Sequence, residues 1–244
     1  MSVSSAMPKR LDHILPPMSP RAPRHQKTRP PASDAVDAPL RLFLAVSLPE
    51  DVKHLAGAEI ERLREHGWPV RWVQPEAAHL TLHFLGETEP ERAELVRLAL
   101  PGVVAAHAPF DLRTAAFGVF PSFRRPRVLW LGLHGPVHRL ESLQQDVVRS
   151  LRGLGIAGAE EPFHAHITLG RVRDADGEAV RVRDLPERVK AAFVDRETGA
   201  AIAPPAAPIP VREVHLMRSH LGHGPPRYER IASFPLGSRD SEPR

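Results

Sequence analysis

The sequence predicts an α+β fold in which two similar lobes of mostly antiparallel strands, joined by helices, face each other across a shared cleft. Three observations lead to this prediction. Short apolar runs typical of strands alternate with longer stretches that carry apolar residues at helical spacing. Two pairs of predicted strands are joined directly by loops, as in antiparallel hairpins. One short motif occurs twice, each time on a predicted strand.

The folded body is predicted at residues 40–237, between a tail of residues 1–39 and a C-terminal tail of residues 238–244. The first tail contains eight prolines and little apolar periodicity. Such a segment cannot bury enough apolar surface to offset the entropy lost on ordering, so we expect it to be disordered. The remaining length is ample for a hydrophobic core.

In the first half of the body, a β-rich apolar run predicts a buried strand at residues 40–46. Ser47 and Pro49 then favour the start of a helix, with the serine as a possible cap. The apolar face of this helix consists of Val52, Leu55, Ala56, Ile60 and Leu63. A strand is predicted at residues 79–84 and a second helix at residues 89–104. Its inward residues are expected to be Leu95, Leu98 and Val103.

In the second half, strands are predicted at residues 110–117, 127–133, 163–171, 211–218 and 228–234. Helices are predicted at residues 136–154 and 185–193, the former ended by glycines. The proline- and arginine-rich residues 120–126 are expected to form a loop between two strands. The proline-rich residues 203–210 are expected to form a linker.

Composition excludes several classes of function. The chain has no cysteine, so disulfides, thiolate catalysis and thiolate metal sites are excluded. The absence of cysteine fits the reducing cytoplasm, where we expect the protein to be located. No stretch approaches the ~18 apolar residues of a membrane span, so we expect no membrane association. The net charge is +4, and residues 1–39 supply +3 of it, from six Lys/Arg against three Asp. Overall charge therefore argues little for nucleic acid, and any such case must rest on local clusters.

The repeated motif is His79-Leu80-Thr81-Leu82 and, 87 residues later, His166-Ile167-Thr168-Leu169. Because alternate residues of a strand share a face, the histidine and threonine of each copy should line a cleft while the aliphatic residues face the core. On the same alternation we expect Phe84 to face the core. His83 should then share the face of His79.

Two imidazoles that converge on one phosphorus suit in-line hydrolysis of a phosphodiester without a metal. One imidazole can take a proton from the attacking water and the other can donate one to the leaving oxygen, since the pKa of histidine lies near neutrality. The hydroxyls of Thr81 and Thr168 can donate to the phosphate oxygens. A metal site that adds His83 and His164 is disfavoured, because His79 and His83 should lie ~13 Å apart on a strand.

The chain resembles the 2H phosphoesterases, in the branch of bacterial and archaeal RNA 2',3'-cyclic phosphodiesterases, also called 2'-5' RNA ligases. The resemblance covers nearly all of residues 40–237. The segments that carry it are residues 42–48, 71–73, 79–86, 120–130, 162–171 and 219–236, with both His-x-Thr copies intact. It implies a pseudo-two-fold, bilobal fold with helices outside and the two motifs in a central groove.

The resemblance also implies residue roles. His79 would protonate the leaving 3'-oxygen and His166 would activate water, although the sequence alone leaves the reverse assignment open. Arg171, five residues after the second histidine, would bind phosphate, although strict alternation places it on the opposite face from His166, so that it needs a bulge, a strand end or its own reach. Where the family often has proline before the second histidine, this chain has Ala165, which should cost little chemically.

The expected activity is hydrolysis of RNA 2',3'-cyclic phosphate ends to 2'-phosphate ends, with 2'-5' ligation as a reverse reaction, no cofactor, no metal and a monomeric enzyme. Arg124 and Arg127 could bind RNA phosphates, whereas we interpret Tyr228 as structural. Two alternatives stay open. One is a related phosphodiesterase that acts on 2'-5' oligonucleotides or small cyclic phosphates. The other is a module that binds RNA ends without turnover.

Overall fold

The computed structural model describes residues 38–156, 158, 162–173, 184–220 and 226–237. All of them belong to the unit Val36–Arg244. The predicted tails lie outside the described residues, apart from Ala38 and Pro39, so the disorder expected of the first tail stays a prediction. No helix in the described ranges is long and apolar enough to cross a membrane.

The described chain contains nine strands and four α-helices. The strands are β1 (Leu40–Ser47), β2 (Val70–Trp72), β3 (His79–Thr88), β4 (Phe110–Ser122), β5 (Arg125–His134), β6 (His166–Val172), β7 (Pro208–Val211), β8 (Glu213–His220) and β9 (Arg227–Pro235). The helices are α1 (Glu50–Arg64), α2 (Pro90–Ala105), α3 (Val137–Gly153) and α4 (Leu185–Phe193). The predicted α+β class is therefore confirmed.

The strands form one sheet in the order β7-β4-β5-β6-β3-β1-β8-β9, with β2 paired to β6. The pairings between these strands are antiparallel. β3 and β6 meet through a single register pair, Leu80 and Ile167. The sheet thus has two four-stranded halves that join at the two strands carrying the repeated motif. This arrangement confirms the predicted two-lobed fold.

The hydrophobic core lies between the helices and one face of this sheet. α1 and α3 each turn a stripe of four buried residues towards it, at the spacing of three and four that the sequence predicts. Leu80 and Ile167 from the join of the two halves belong to the same cluster. Each fully buried large aliphatic side chain stabilises the fold by about 1.5–3 kcal/mol. The opposite face of the two motif strands is left free for polar side chains.

Several predicted details are wrong. Ser47 ends β1 and does not cap α1, where Pro49 holds the N-cap position. In α2, Leu98 is 77% exposed, and the buried residues are instead Ala93, Val96, Leu100 and Val104. The expected loop at residues 120–126 is mostly strand, because Ser122 already pairs with Arg125 across a two-residue turn. The expected linker at residues 203–210 includes the start of β7, an edge strand that pairs with β4.

Candidate active site

The two His-x-Thr motifs lie next to each other at the centre of the sheet. Their middle residues, Leu80 and Ile167, form the backbone register pair that joins the two halves, and both side chains are fully buried. Antiparallel register around that pair places the histidine of each motif beside the threonine of the other. All four polar side chains therefore share the face opposite the core, as the sequence predicts.

Both imidazoles are held in the same way. Nδ1 of His79 lies 2.8 Å from the carbonyl oxygen of Ala77, and Nδ1 of His166 lies 2.6 Å from that of His164. Because a carbonyl only accepts, each Nδ1 carries the proton and donates it. In the neutral ring, the lone pair is then on Nε2. Each histidine thus offers Nε2 as a base, or as an acid once it is protonated.

An aromatic ring stands edge-on to each imidazole. Tyr228 meets His79 at a centroid distance of 5.1 Å, and Phe120 meets His166 at 5.0 Å, both at an interplanar angle of 86°. Phe43 adds a tilted contact to His79 at 4.8 Å. Such aromatic contacts fix the ring planes in addition to burying apolar area. Phe120 could not be identified from the sequence, because its contact depends on pairing between β4, β5 and β6.

Burial lowers the pKa of both motif histidines. For His79, burial is the largest cause, opposed by the hydrogen bond to Ala77, and the charges of His166 and Arg171 lower its pKa further. The pKa of His166 is lowered by burial first, with the charge of Arg171 again acting in that direction. Both imidazoles are therefore mainly neutral at neutral pH. One is ready to accept a proton, and the pair resists double protonation.

Arg171 reaches the histidine face because β6 contains a bulge. Thr168 and Gly170 pair with consecutive residues of β5, which leaves Leu169 as an extra residue. A bulge shifts the alternation by one position. Leu169 and Gly170 are accordingly both buried, and Arg171 is exposed on the side of His166. The sequence required a bulge, a strand end or a long reach for this arginine, and the structure provides the bulge.

A corresponding bulge in β3 shows that two predictions are wrong. Thr81 and His83 pair with consecutive residues of β1, so Leu82 is extra. His83 is consequently buried, with 7% of its surface exposed, and does not share the face of His79. Phe84 is 44% exposed and does not face the core as predicted. The bulges at Leu82 and Leu169 each lie three residues after a motif histidine, so Phe84 and Arg171 hold equivalent positions in the two halves.

The position of His83 argues against a metal site formed by the motif histidines with His83 and His164. His83 lies on the core side of β3, so the four histidines of the two motif regions do not converge. In the described ranges, no group of three or more His, Cys, Asp or Glu residues is placed to hold a metal ion.

Trp130 supports the second imidazole from the neighbouring strand. Its ring lies 5.0 Å from Phe120 and 6.4 Å from His166. A Cβ built on Gly118 would lie 2.1 Å from the indole, so the missing side chain at that position makes room for the ring. The sequence predicted the strand that carries Trp130 but not this slot, which two paired strands form together.

The remaining predicted residues lie around this centre. Arg124 is exposed in the tight turn between β4 and β5, and Arg127 is partly buried in β5 where the register shifts by one residue. Arg127 is engaged in an interaction within the fold. A role in substrate binding stays a prediction for both arginines. Tyr228, interpreted from sequence as structural, is in direct contact with His79.

Most of this chain is similar to proteins of known family. The profile of the 2'-5' RNA ligase superfamily matches residues 51–223. An RNA 2',3'-cyclic phosphodiesterase of Thermotoga maritima is 36% identical over 134 residues, which cover 55% of this chain and 71% of that protein. One of Methanothermobacter thermautotrophicus is 28% identical over 197 residues, 81% of this chain and 99% of its own length.

Solved structures share the fold. TT0787 of Thermus thermophilus superposes with a TM-score of 0.63 at 27% identity, covering 82% of this chain and 100% of its own. E. coli LigT, crystallised in complex with 3'-AMP, superposes with a TM-score of 0.60 at 27% identity, covering 81% of this chain and 98% of its own.

Proposed function

The chain belongs to the 2'-5' RNA ligase superfamily, and we propose that it hydrolyses RNA 2',3'-cyclic phosphate ends to 2'-phosphate ends by acid–base chemistry of His79 and His166. The relatives named RNA 2',3'-cyclic phosphodiesterase support an enzyme of that class. The observation that carries the mechanism is the matched pair of imidazoles. Both have Nδ1 bonded to a backbone carbonyl and Nε2 left for chemistry, on adjacent strands.

The reaction needs one proton removed and one supplied. Nε2 of His166 takes a proton from water as its oxygen forms a bond to phosphorus. The bond from phosphorus to the 3'-oxygen breaks, and protonated Nε2 of His79 gives its proton to that oxygen. The product carries a 2'-phosphate and a free 3'-hydroxyl. Each such proton transfer contributes about 10²–10⁴-fold to the rate.

Charge on the phosphate is held by groups around the two rings. The hydroxyls of Thr81 and Thr168 can donate to the non-bridging oxygens, and the guanidinium of Arg171 supplies positive charge near both imidazoles. If a 5'-hydroxyl of RNA replaces water, the same steps join two strands through a 2'-5' linkage. That exchange needs no nucleotide cofactor, because one phosphodiester-type bond replaces another.

The test is to incubate the purified protein, in excess chelator, with a short RNA that ends in a 2',3'-cyclic phosphate, and to identify the product. We expect a 2'-phosphate end. A 3'-phosphate product, or activity that disappears with the chelator and returns with a divalent ion, would contradict the mechanism. Turnover of 2'-5' oligonucleotides or small cyclic phosphates alone would establish the other phosphodiesterase activity, and binding without turnover of any of them would indicate a binding module.

The pH dependence provides a further prediction. The pH profile of kcat/KM reports the pKa values of the free enzyme, and for two interacting histidines these belong to the pair. Because burial lowers both pKa values below the usual 6.5, the form with one proton is most populated below that pH. We therefore expect kcat/KM to peak below pH 6.5 and to fall about tenfold per pH unit above it. Measurement between about pH 5 and pH 8 checks this, and kcat/KM that rises up to pH 8 would contradict it.

A further inference from the structure

Two arginines face each other directly beside the candidate active site. β2 pairs with β6 so that Arg71 lies opposite Arg171, and both side chains are exposed. Side chains at directly opposed positions have Cβ atoms about 4.5–5.5 Å apart, and like charges there are destabilising. A pairing of two guanidiniums therefore costs free energy unless an anion offsets it.

Within the described part of the chain, no carboxylate pairs with either of these two arginines. Two other arginines of the sheet have acidic partners, Arg41 with Glu87 and Arg218 with Glu229. Among the residues that the structure describes, neither Arg71 nor Arg171 forms an ion pair or a hydrogen bond through its side chain. Both charges instead act on Tyr228, the ring that contacts His79.

The positions of the two arginines differ with respect to the motif histidines. The charge of Arg171 lowers the pKa of both imidazoles. Burial raises the pKa of Tyr228, and the charges of Arg171 and Arg71 act against that rise. Arg71 thus lies close enough to act on Tyr228, the ring that contacts His79. Because β2 lies beside β6, Arg71 extends the positive charge of Arg171 onto the neighbouring strand.

From this juxtaposition we propose that Arg71 binds the phosphodiester next to the cyclic phosphate, so that the enzyme selects the end of an RNA chain over a free nucleoside 2',3'-cyclic phosphate. The proposal rests on the proposed function, in which Arg171 meets the reacting phosphate. A cyclic phosphate carries one negative charge, which one guanidinium matches. The second unpaired guanidinium calls for a second anion, and in RNA the adjacent linkage supplies it.

The test compares substrates that differ by one phosphate. They are a nucleoside 2',3'-cyclic phosphate, a dinucleotide with the same end, and that dinucleotide with an uncharged methylphosphonate linkage. For Arg71→Gln we expect kcat/KM to fall roughly ten- to hundredfold on the charged dinucleotide, mainly through KM. For the other two substrates, kcat/KM of this variant should differ from that of wild type by less than about twofold, which is within the range of an ordinary surface substitution. Arg71→Lys should restore part of the loss.

A matched control removes the same charge elsewhere. Arg97→Gln on α2 breaks an exposed ion pair with Glu94 and should leave turnover of every substrate unchanged. The salt dependence gives a second readout. For the charged dinucleotide, the slope of log Kd against log salt should fall in magnitude by about 0.7 in Arg71→Gln, which is the value for one phosphate contact on a single strand. An equal loss on all three substrates, or no loss on the charged dinucleotide, would overturn the proposal.

The binding measurement separates this proposal from the proposed function. It uses the dinucleotide and the mononucleotide that end in a 2'-phosphate, so it needs no turnover. A wild-type protein that hydrolysed none of the substrates could still bind the dinucleotide more tightly than the mononucleotide, with the difference lost in Arg71→Gln. That result would contradict the hydrolytic function and support the anion site. If hydrolysis occurred without that preference, the anion site would fail alone.

Discussion

Replacing His166 by alanine is expected to lower kcat on a 2',3'-cyclic phosphate RNA end by about 10²–10⁴-fold, the contribution of one proton transfer. Nε2 of this ring is the proposed base, and its neutral state at pH 7 follows from the burial that lowers its pKa. Single-turnover rates measure the chemical step directly. His54→Ala, at an exposed position of α1, is the matched control and should keep the full rate. A rate within a few-fold of wild type in His166→Ala would refute the two-histidine mechanism.

His79→Ala should lose activity to a similar extent, and a modified substrate can tell the two roles apart. A cyclic substrate with sulfur in place of the 3'-oxygen has a leaving group that needs no protonation. This substrate should restore most of the rate of the variant that lacks the acid and none of the rate of the variant that lacks the base. Restoration in His79→Ala alone supports the proposed assignment, whereas restoration in His166→Ala alone would exchange the two roles.

Sequence periodicity predicts the elements of this fold well where a segment has its own hydrophobic pattern. α3 and α4 lie where the spacing of apolar residues predicts them, and α4 has the predicted limits, Leu185–Phe193. β2 and β7 are short strands of three and four residues, the latter with two prolines. Their pattern is too short to identify, and they exist because β6 and β4 offer them a paired edge.

The two bulges explain why alternation predicts the first half of each motif and fails after it. Leu82 and Leu169 are aliphatic residues at positions where regular alternation also places an aliphatic residue, so nothing in their identity marks an extra residue. The bulge arises from register with the neighbouring strand, which the local sequence does not contain. The prediction therefore assigns His79 and Thr81 to the correct face and then exchanges the faces of His83 and Phe84.

The sequence also could not supply the partners that orient the site. The motif histidines are identifiable because their context is repeated, whereas the edge-on contacts of Phe120 and Tyr228 bring together residues 46 and 149 positions apart in the chain. The pairing of Arg71 with Arg171 spans 100 positions in the same way. Without the pairing of strands, each of these residues is an ordinary strand or surface side chain.

Arg171→Gln is expected to lower kcat/KM by about 10²–10³-fold, the loss typical of one group that stabilises charge in the transition state. The bulge at Leu169 turns this side chain to the histidine face, and its charge acts on both imidazoles. During in-line attack, the negative charge on the phosphoryl oxygens must be stabilised. The neutral amide can donate a hydrogen bond but cannot match that charge.

The pH profile distinguishes this electrostatic role from a structural one. The positive charge of Arg171 lowers the pKa of His79 and of His166, so its removal should raise both pKa values and move the optimum of kcat/KM to higher pH. Arg171→Lys keeps the charge, so its optimum should stay near that of wild type, although it loses the two-pronged contact with phosphate. A variant that loses activity through misfolding would show a lower melting temperature and an unshifted optimum. An unshifted optimum in a fully folded Arg171→Gln protein would place the guanidinium outside the reacting centre.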